Sequence, residues 1–381
     1  MSSEPILLGG LFSESGAIAD IEASMRRGTE LAVAEVNAQG GVNGRPFELR
    51  LCNPESKVPL YASYAESLIV EQKVQFLLGC YMSRMRKMVM PVVERYNALL
   101  FYPVFYEGFE YSDNIIYTGS TSHLNNVPLA SYMFERFGKR VLMVGTDYIY
   151  PYESNRVMSD LIYEAGGEKL GEYYVPLDAT REDYRKLMQQ VVADRPSFIF
   201  CTVVGDGLRH LYDLYWELGL KPEELPIASL TTSETEIRSI GAEKVAGHIT
   251  AASYFQSVDN PINRQAVANY KRMFGDDQVA DMCWEAAYFQ VHLLAMAMCK
   301  AGSQQVDDIR RILPTLEYPA PQGTIRVDGN NHHTYLHARI GRANAQGQFD
   351  ILFETSQNVA PDPYLISPRP GGWVIRDRRG S

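Results

Sequence analysis

Short apolar runs alternate with stretches whose apolar residues recur at helical spacing through the first two-thirds of the chain. That pattern predicts parallel sheets covered by helices on both faces. The first run is ILLGGLF at residues 6–12; Ala32, Val33 and Val36 follow at helical spacing, and Gly40 and Gly41 close that helix as a C-cap. After a turn at 42–46, Phe47, Leu49 and Leu51 alternate with Glu48, Arg50 and Cys52, the period of two expected of a strand. VQFLLG (74–79) predicts a buried strand. Met85, Met88, Val89, Val92 and Val93 then set one apolar face on a helix that Pro91 should kink or shorten. ALLFYP (98–103) and NIIYTG (114–119) complete a first set of strands.

A second set follows: RVLMVG (140–145), SFIFCTVVG (197–205), PIASLTT (226–232) and HITAAS (248–253). A long helix at about 281–298 carries Trp284, Ala287, Tyr288, Val291, Ala295 and Met298 on one stripe, suited to packing on the first sheet. At 381 residues the chain is about twice a typical domain. The expectation is an α/β protein of two Rossmann-like lobes, the first from residues 1–121 and 254–328, the second from 122–253 and 329–381. The tail after Tyr364, with Pro368, Pro370, Gly371 and Gly372, reads as loosely ordered.

Charge and composition narrow the chemistry. A formal net charge of −10 argues against direct binding of nucleic acid, which needs a clustered basic surface. No apolar run approaches the roughly 18 to 20 residues of a membrane span, and the most apolar stretch, 288–298, reads as a buried helix. The start, Met1 to Glu4, leads at once into the first strand without an apolar leader, so the chain as written is expected in the cytoplasm; a leader already removed would place it outside. Cys52, Cys80, Cys201, Cys283 and Cys299 are widely spaced, with no CxxC, which predicts reduced thiols and neither a disulfide framework nor a metal site. No cofactor is expected.

Two levels of resemblance then enter. EVNAQGGVNGRPFEL (35–49) resembles the helix, double-glycine turn and second strand of type I periplasmic binding proteins, the branched-chain amino-acid receptor superfamily. More specifically, GCYMSRMRKMVMPVVER (79–95), YEGFEYSDNIIY (106–117), DYIYPYESNRVM (147–158), CTVVGDG (201–207), ASLTTSE (228–234), APQG (320–323) and PDPY (361–364) resemble the amide receptors that negatively regulate aliphatic-amidase operons. The resemblance implies two α/β lobes joined by three crossovers, with a ligand cleft between them that closes on a short amide such as acetamide. It also implies a partner, an RNA-binding antiterminator that the unliganded receptor holds silent. By resemblance Tyr81, Ser83, Tyr102, Tyr148, Tyr150 and Thr231 line the cleft, with Thr202, Gly205 and Thr232 as further candidates. Each of the first six sits at or just beyond a predicted strand, where ligands bind in open α/β sheets. The chain departs from the pattern at Val104, where the receptors have a hydroxyl residue, and at Phe105, where they have proline. Valine offers no hydrogen bond, so the wall is drier and bulkier, and a different amide, urea or a more apolar carbonyl compound stays open beside acetamide.

Several of these residues have structural readings that the sequence leaves open. Tyr148 and Tyr150, two apart, point one way in an extended chain, or else form a turn ended by Pro151. Ser83 can serve as the N-cap of the helix that follows, and Thr231, Thr232 and Ser233 can cap another, with Glu234 or Glu236 favouring the helix dipole. Enzymatic readings find little support. His332 and His333 lack metal-ligand spacing, Cys80 has no partner signature for a nucleophile, and GDG (205–207) is too short for a phosphate loop. No enzymatic activity is expected. The sequence therefore supports a ligand-responsive regulator, or alternatively the solute-binding component of an ABC importer for urea or short-chain amides, and leaves a homo-oligomer open.

Overall fold

The computed structural model describes residues 4–365, so the proline- and glycine-rich tail lies outside the described residues. The chain divides into two compact units, Met1–Ser120 with Asp259–Leu336, and Thr121–Val258 with His337–Ser381. In chain order the first unit opens with β1 (Ile6–Leu11), α1 (Ala19–Ala38), β2 (Phe47–Cys52), α2 (Val58–Val70), β3 (Phe76–Gly79), α3 (Ser83–Tyr96), β4 (Leu99–Tyr102) and β5 (Ile115–Tyr117). The second contributes α4 (Ser122–Arg136), β6 (Arg140–Thr146), α5 (Ile149–Glu164), β7 (Glu168–Val175), α6 (Arg181–Asp194), β8 (Phe198–Thr202) and α7 (Gly207–Glu217). It continues through β9 (Ile227–Ser229), α8 (Glu234–Ile240), α9 (Ala242–Val245) and β10 (Ile249–Ala252). The chain then returns to the first unit with α10 (Pro261–Phe274), α11 (Met282–Ala301), α12 (Val306–Ile312), β11 (Tyr318–Ala320), β12 (Gly323–Val327) and β13 (Thr334–Tyr335), and ends in the second with β14 (Arg339–Ala343) and β15 (Phe349–Glu354).

The sheet of the first unit is parallel throughout, in the order β2-β1-β3-β4-β5. Its strands β3, β4 and β5 are buried on both faces, which is why they read as unbroken apolar runs. Helix α11 packs on α1 and is buried on nearly every side, with Trp284 stacked on Tyr288 at 5.2 Å between ring centroids. Asp281 caps it by accepting from the amides of Cys283 and Trp284, both at 2.8 Å. Residues 329–336 stay with this unit because β13 pairs with β12 and His333 bridges Tyr117 at the edge of β5.

The second unit has seven strands in the order β15-β14-β10-β9-β8-β6-β7. β7 to β10 run parallel with β6, and β14 and β15 add an antiparallel edge. The hydrophobic pattern does not predict those two strands or β7, because each mixes polar and apolar residues and gives no long apolar run.

The helix at 83–96 differs from expectation in two ways. It runs unbroken past Pro91 to Tyr96, where Asn97 ends it in the left-handed region at φ 46°, so proline does not shorten it. Its buried face carries Met85, Arg86, Val89 and Val93, whereas Met88 is exposed. Hydrophobicity alone chose Met88; a buried arginine wins because its charge is satisfied from the facing loop.

Candidate functional site

In each parallel sheet the chain reverses its direction of growth once, between β1 and β3 in the first unit and between β6 and β8 in the second. A crevice opens beyond the carboxyl ends of the strands at such a point, because the connecting loops leave in opposite directions. Tyr81 and Ser83 follow β3, and Tyr148, Tyr150, Thr202 and Gly205 lie at or just after the ends of β6 and β8, whereas Tyr102, Val104 and Phe105 lie at the end of β4 and Thr231 and Thr232 after β9.

In the first unit the connection from β3 to α3 is set by backbone geometry. Gly79 has φ 126°, and a Cβ there would lie 2.4 Å from the Leu11 carbonyl oxygen, so only glycine lets β3 end so close to β1. Cys80 follows at φ 67°. Tyr81 is then held at both backbone groups: its amide donates to Glu22 Oε1 at 3.1 Å, and its carbonyl accepts from the Tyr102 hydroxyl at 2.9 Å. Glu22 is fully buried on α1, and its Oε2 accepts from the Ser13 amide and the Tyr61 hydroxyl, both at 2.6 Å. Burial raises this carboxyl to about 7, against the lowering effect of those hydrogen bonds.

Ser83 is the first residue of α3, not its cap. Met82 occupies the cap position, and the Ser83 hydroxyl donates to Glu107 Oε2 at 2.8 Å. Glu107 and Glu110 bracket the buried Arg86, at 2.7 Å to Nη2 and 2.8 Å to Nε, and Lys87 reaches Glu110 at 2.6 Å. Burial would push the Glu110 carboxyl up, but Arg86 and Lys87 outweigh it and hold it down at about 2. The guanidinium lies 4.6 Å from the ring centroid of Tyr102. Tyr102 is itself fully buried, so it supports Tyr81 from behind. Val104 and Phe105 are buried in the loop after β4, laid against Gly119, where a Cβ would come within 2.0 Å of the Val104 carbonyl oxygen.

In the second unit Tyr148 is the N-cap of α5, with an extended φ of −163°, and Tyr150 and Pro151 belong to its first turn. The turn closed by Pro151 is thus a helix start, since proline is tolerated where the amide has no helical acceptor. The two tyrosine rings lie 6.3 Å apart between centroids. Thr202 ends β8 and donates inward to Asn155 Oδ1 at 3.1 Å, which fastens the strand to α5. Gly205, at φ 66°, turns the chain into α7. Thr231 donates to the Val203 carbonyl at 2.5 Å, and Thr232 to Ser229 Oγ at 2.9 Å. The cap of α8 is Ser233, in a reciprocal box with Glu236.

Glu22, Ser13, Glu107 and Arg86 were not singled out from sequence. Glu22 carried a signal, because it shares the helical face of Met25, Thr29, Ala32 and Val36, and a carboxylate on an apolar face needs partners. His333 is buried in stacking contact with Tyr117 at 4.1 Å, and among the described residues no cluster of three or more His, Cys, Asp or Glu could hold a metal. Burial also pushes the Cys80 thiol well up, away from the nucleophilic thiolate. No helix of the described residues is long and apolar enough to cross a membrane.

Comparison with known proteins places these observations. A family model described as periplasmic binding protein domain matches residues 6–369. A curated limonene hydroxylase of Geobacillus stearothermophilus is 34% identical over 128 residues, and the match covers 34% of this chain and only 23% of that protein's length. A Leu/Ile/Val-binding protein homolog of Brucella suis is 21% identical over 286 residues, 74% of this chain and 73% of that one. Among solved structures, an ABC-transporter solute-binding protein of Rhodopseudomonas palustris in complex with p-hydroxybenzoic acid superposes with a TM-score of 0.85 at 21% identity, covering 96% of this chain and all of the other. That likeness shows the fold, two α/β units with parallel sheets.

Proposed function

We propose that this chain, which belongs to the periplasmic binding protein family, is a solute-binding component that takes up a small uncharged molecule bearing N–H groups, an amide or urea, for an importer. The solute-binding neighbours support transport over regulation, and transport would place the chain outside the cytoplasmic membrane. The ligand class rests on the chain's own residues. None of Tyr81, Ser83, Val104, Phe105, Tyr148, Tyr150 or Thr231 is charged, and the nearby charges are spent on one another: Arg86 and Lys87 on Glu107 and Glu110.

The observation that carries the reading is the direction of the hydroxyls. Ser83 gives its only proton to Glu107, and Thr231 gives its own to the Val203 carbonyl. What these oxygens offer a ligand is lone pairs. Acceptors of this kind favour a ligand that brings N–H groups over a carboxylate, so the benzoate of the solved neighbour is not the expected ligand class here. Calorimetric titration with acetamide, propionamide and urea, beside leucine and p-hydroxybenzoate, tests this. Saturable binding of an amide or urea is the expected result; binding of leucine or p-hydroxybenzoate with no response to any amide or urea would overturn it.

A second reading, a ligand-responsive regulator of an antiterminator, draws on the likeness of residues 79–95 and 228–234 to amide receptors. Co-purification of an RNA-binding protein that acetamide or urea releases would favour it; a permease held in the same way would favour transport.

A further inference from the structure

Glu22, on α1, lies beside the connections that leave β1 and β3 and joins three segments through one carboxylate. Ser13 comes from the β1–α1 connection, Tyr61 from α2 and Tyr81 from the β3–α3 connection, and two of the three bonds are to backbone amides. The Ser13 and Tyr61 hydroxyls also bond to each other at 2.7 Å, and that pair can reverse direction. The Tyr81 amide cannot; it only donates.

We infer that Glu22 is the positioning residue for Tyr81, and that its proton couples the ligand site to pH. The inference rests on the reading of Tyr81 as a ligand contact. Ionised, the carboxylate holds both amides by charge-assisted hydrogen bonds; protonated, it keeps only neutral ones, roughly half as strong. Tyr81 is therefore held more firmly at higher pH, and an amide ligand binds more tightly there.

The surrounding charges leave this proton to Glu22 itself. Arg26, one turn along α1, is bound to Glu14 and Glu30. Asp281, facing α1 from α11, is bound to Ser24 and to the amides of Cys283 and Trp284. Tyr61 and Cys80 face Glu22 from α2 and from the β3–α3 connection, and burial raises both well above the neutral range, with the Glu22 charge adding to the effect. With its own carboxyl raised to about 7, Glu22 is the member of this group that changes charge near neutral pH.

The test begins without ligand. In the full chain labelled with 15N-tyrosine, the Tyr81 amide is assigned by its loss in Tyr81→Phe and followed from pH 5.5 to 8.5. A shift with a midpoint near neutrality, absent in Glu22→Gln, is expected. Should Glu22→Gln fail to fold, Tyr61→Phe removes one hydrogen bond that lowers the midpoint, so the Tyr81 titration should move to higher pH. An amide that does not titrate, or that titrates unchanged in both variants, overturns the positioning role. Titration of acetamide and urea at pH 6 and pH 8 supplies the ligand arm: severalfold weaker binding at pH 6, flattened in Glu22→Gln, is expected. Equal affinity at the two pH values overturns the coupling. Absence of binding at both values overturns the ligand reading and the affinity claim with it, while the amide titration alone decides whether Glu22 positions Tyr81.

Discussion

The Tyr102 hydroxyl donates to the Tyr81 carbonyl at 2.9 Å, so the last residue of β4 fixes the loop that leaves β3. Tyr102 is fully buried, and the hydroxyl has no route to solvent. Tyr102→Phe keeps the ring under Arg86 and removes only this bond. The variant should lose about 1 to 2 kcal/mol of stability, because the Tyr81 carbonyl is left without that donor. It should also weaken amide binding severalfold. Denaturant unfolding and calorimetry check the two effects, and unchanged affinity would detach Tyr102 from the ligand site.

Arg86 supports a second prediction. It is fully enclosed, and two carboxylates of one loop depend on it. Removing one partner of a buried pair costs more than the pair contributes, so Arg86→Leu should destabilise the chain by about 3 to 5 kcal/mol. The Glu110 carboxyl, held at about 2 chiefly by Arg86 and Lys87 against burial, should titrate at higher pH in the variant. Carbon-detected NMR of the glutamate carboxyls would show it.

The central parallel strands of the two sheets were legible because burial on both faces writes them as apolar runs, as in VQFLLG, ALLFYP and SFIFCTVVG. β2 was legible by its alternation despite its exposed positions, whereas β14, RIGRA, was not: its two arginines hide a strand that is buried over most of its length, with Arg339 against Glu354. The same limit applies at the site. Spacing could suggest that Ser83 and Thr231 stand at strand ends, but the acceptors of their protons, Glu107 and the Val203 carbonyl, come from loops 24 and 28 residues away. Hydrogen-bond direction is a tertiary property, and the proposed ligand class rests on it. Periodicity likewise placed Met88 inside and gave no weight to Arg86, since a hydrophobic pattern has no term for a charge that finds two partners.

Burial of His248 adds an acid-sensitive contribution to the stability of the second unit. Its Nδ1 accepts from the Ile227 amide at 2.9 Å, and the edges of Tyr212 and Tyr215 enclose the ring. Burial lowers it from 6.5 to about 3, so the folded chain keeps it neutral where the unfolded chain protonates it. Its contribution is therefore fully present above about pH 6.5 and is lost as pH falls toward 3. Unfolding free energy should decline from pH 7 to pH 4, and His248→Asn, less stable at pH 7, should decline less steeply. Parallel slopes for the two proteins would assign the acid sensitivity to other groups.

Val104 tests the shape of the proposed pocket. The side chain is buried, and its backbone lies close against Gly119. Threonine has nearly the same volume, so Val104→Thr changes chemistry and little else; the added hydroxyl costs about 1 to 2 kcal/mol if it finds no partner. If Val104 faces the ligand, that hydroxyl gains a partner only when a polar group comes within reach. The smallest amides present their polar atoms to every wall, whereas longer ones turn an alkyl chain to the dry side. The ratio of acetamide to butyramide affinity should therefore rise severalfold in the variant, measured by competitive titration. A ratio that stays constant while the melting temperature falls would place Val104 in the core behind the site, and the drier wall would then have no part in choosing the ligand.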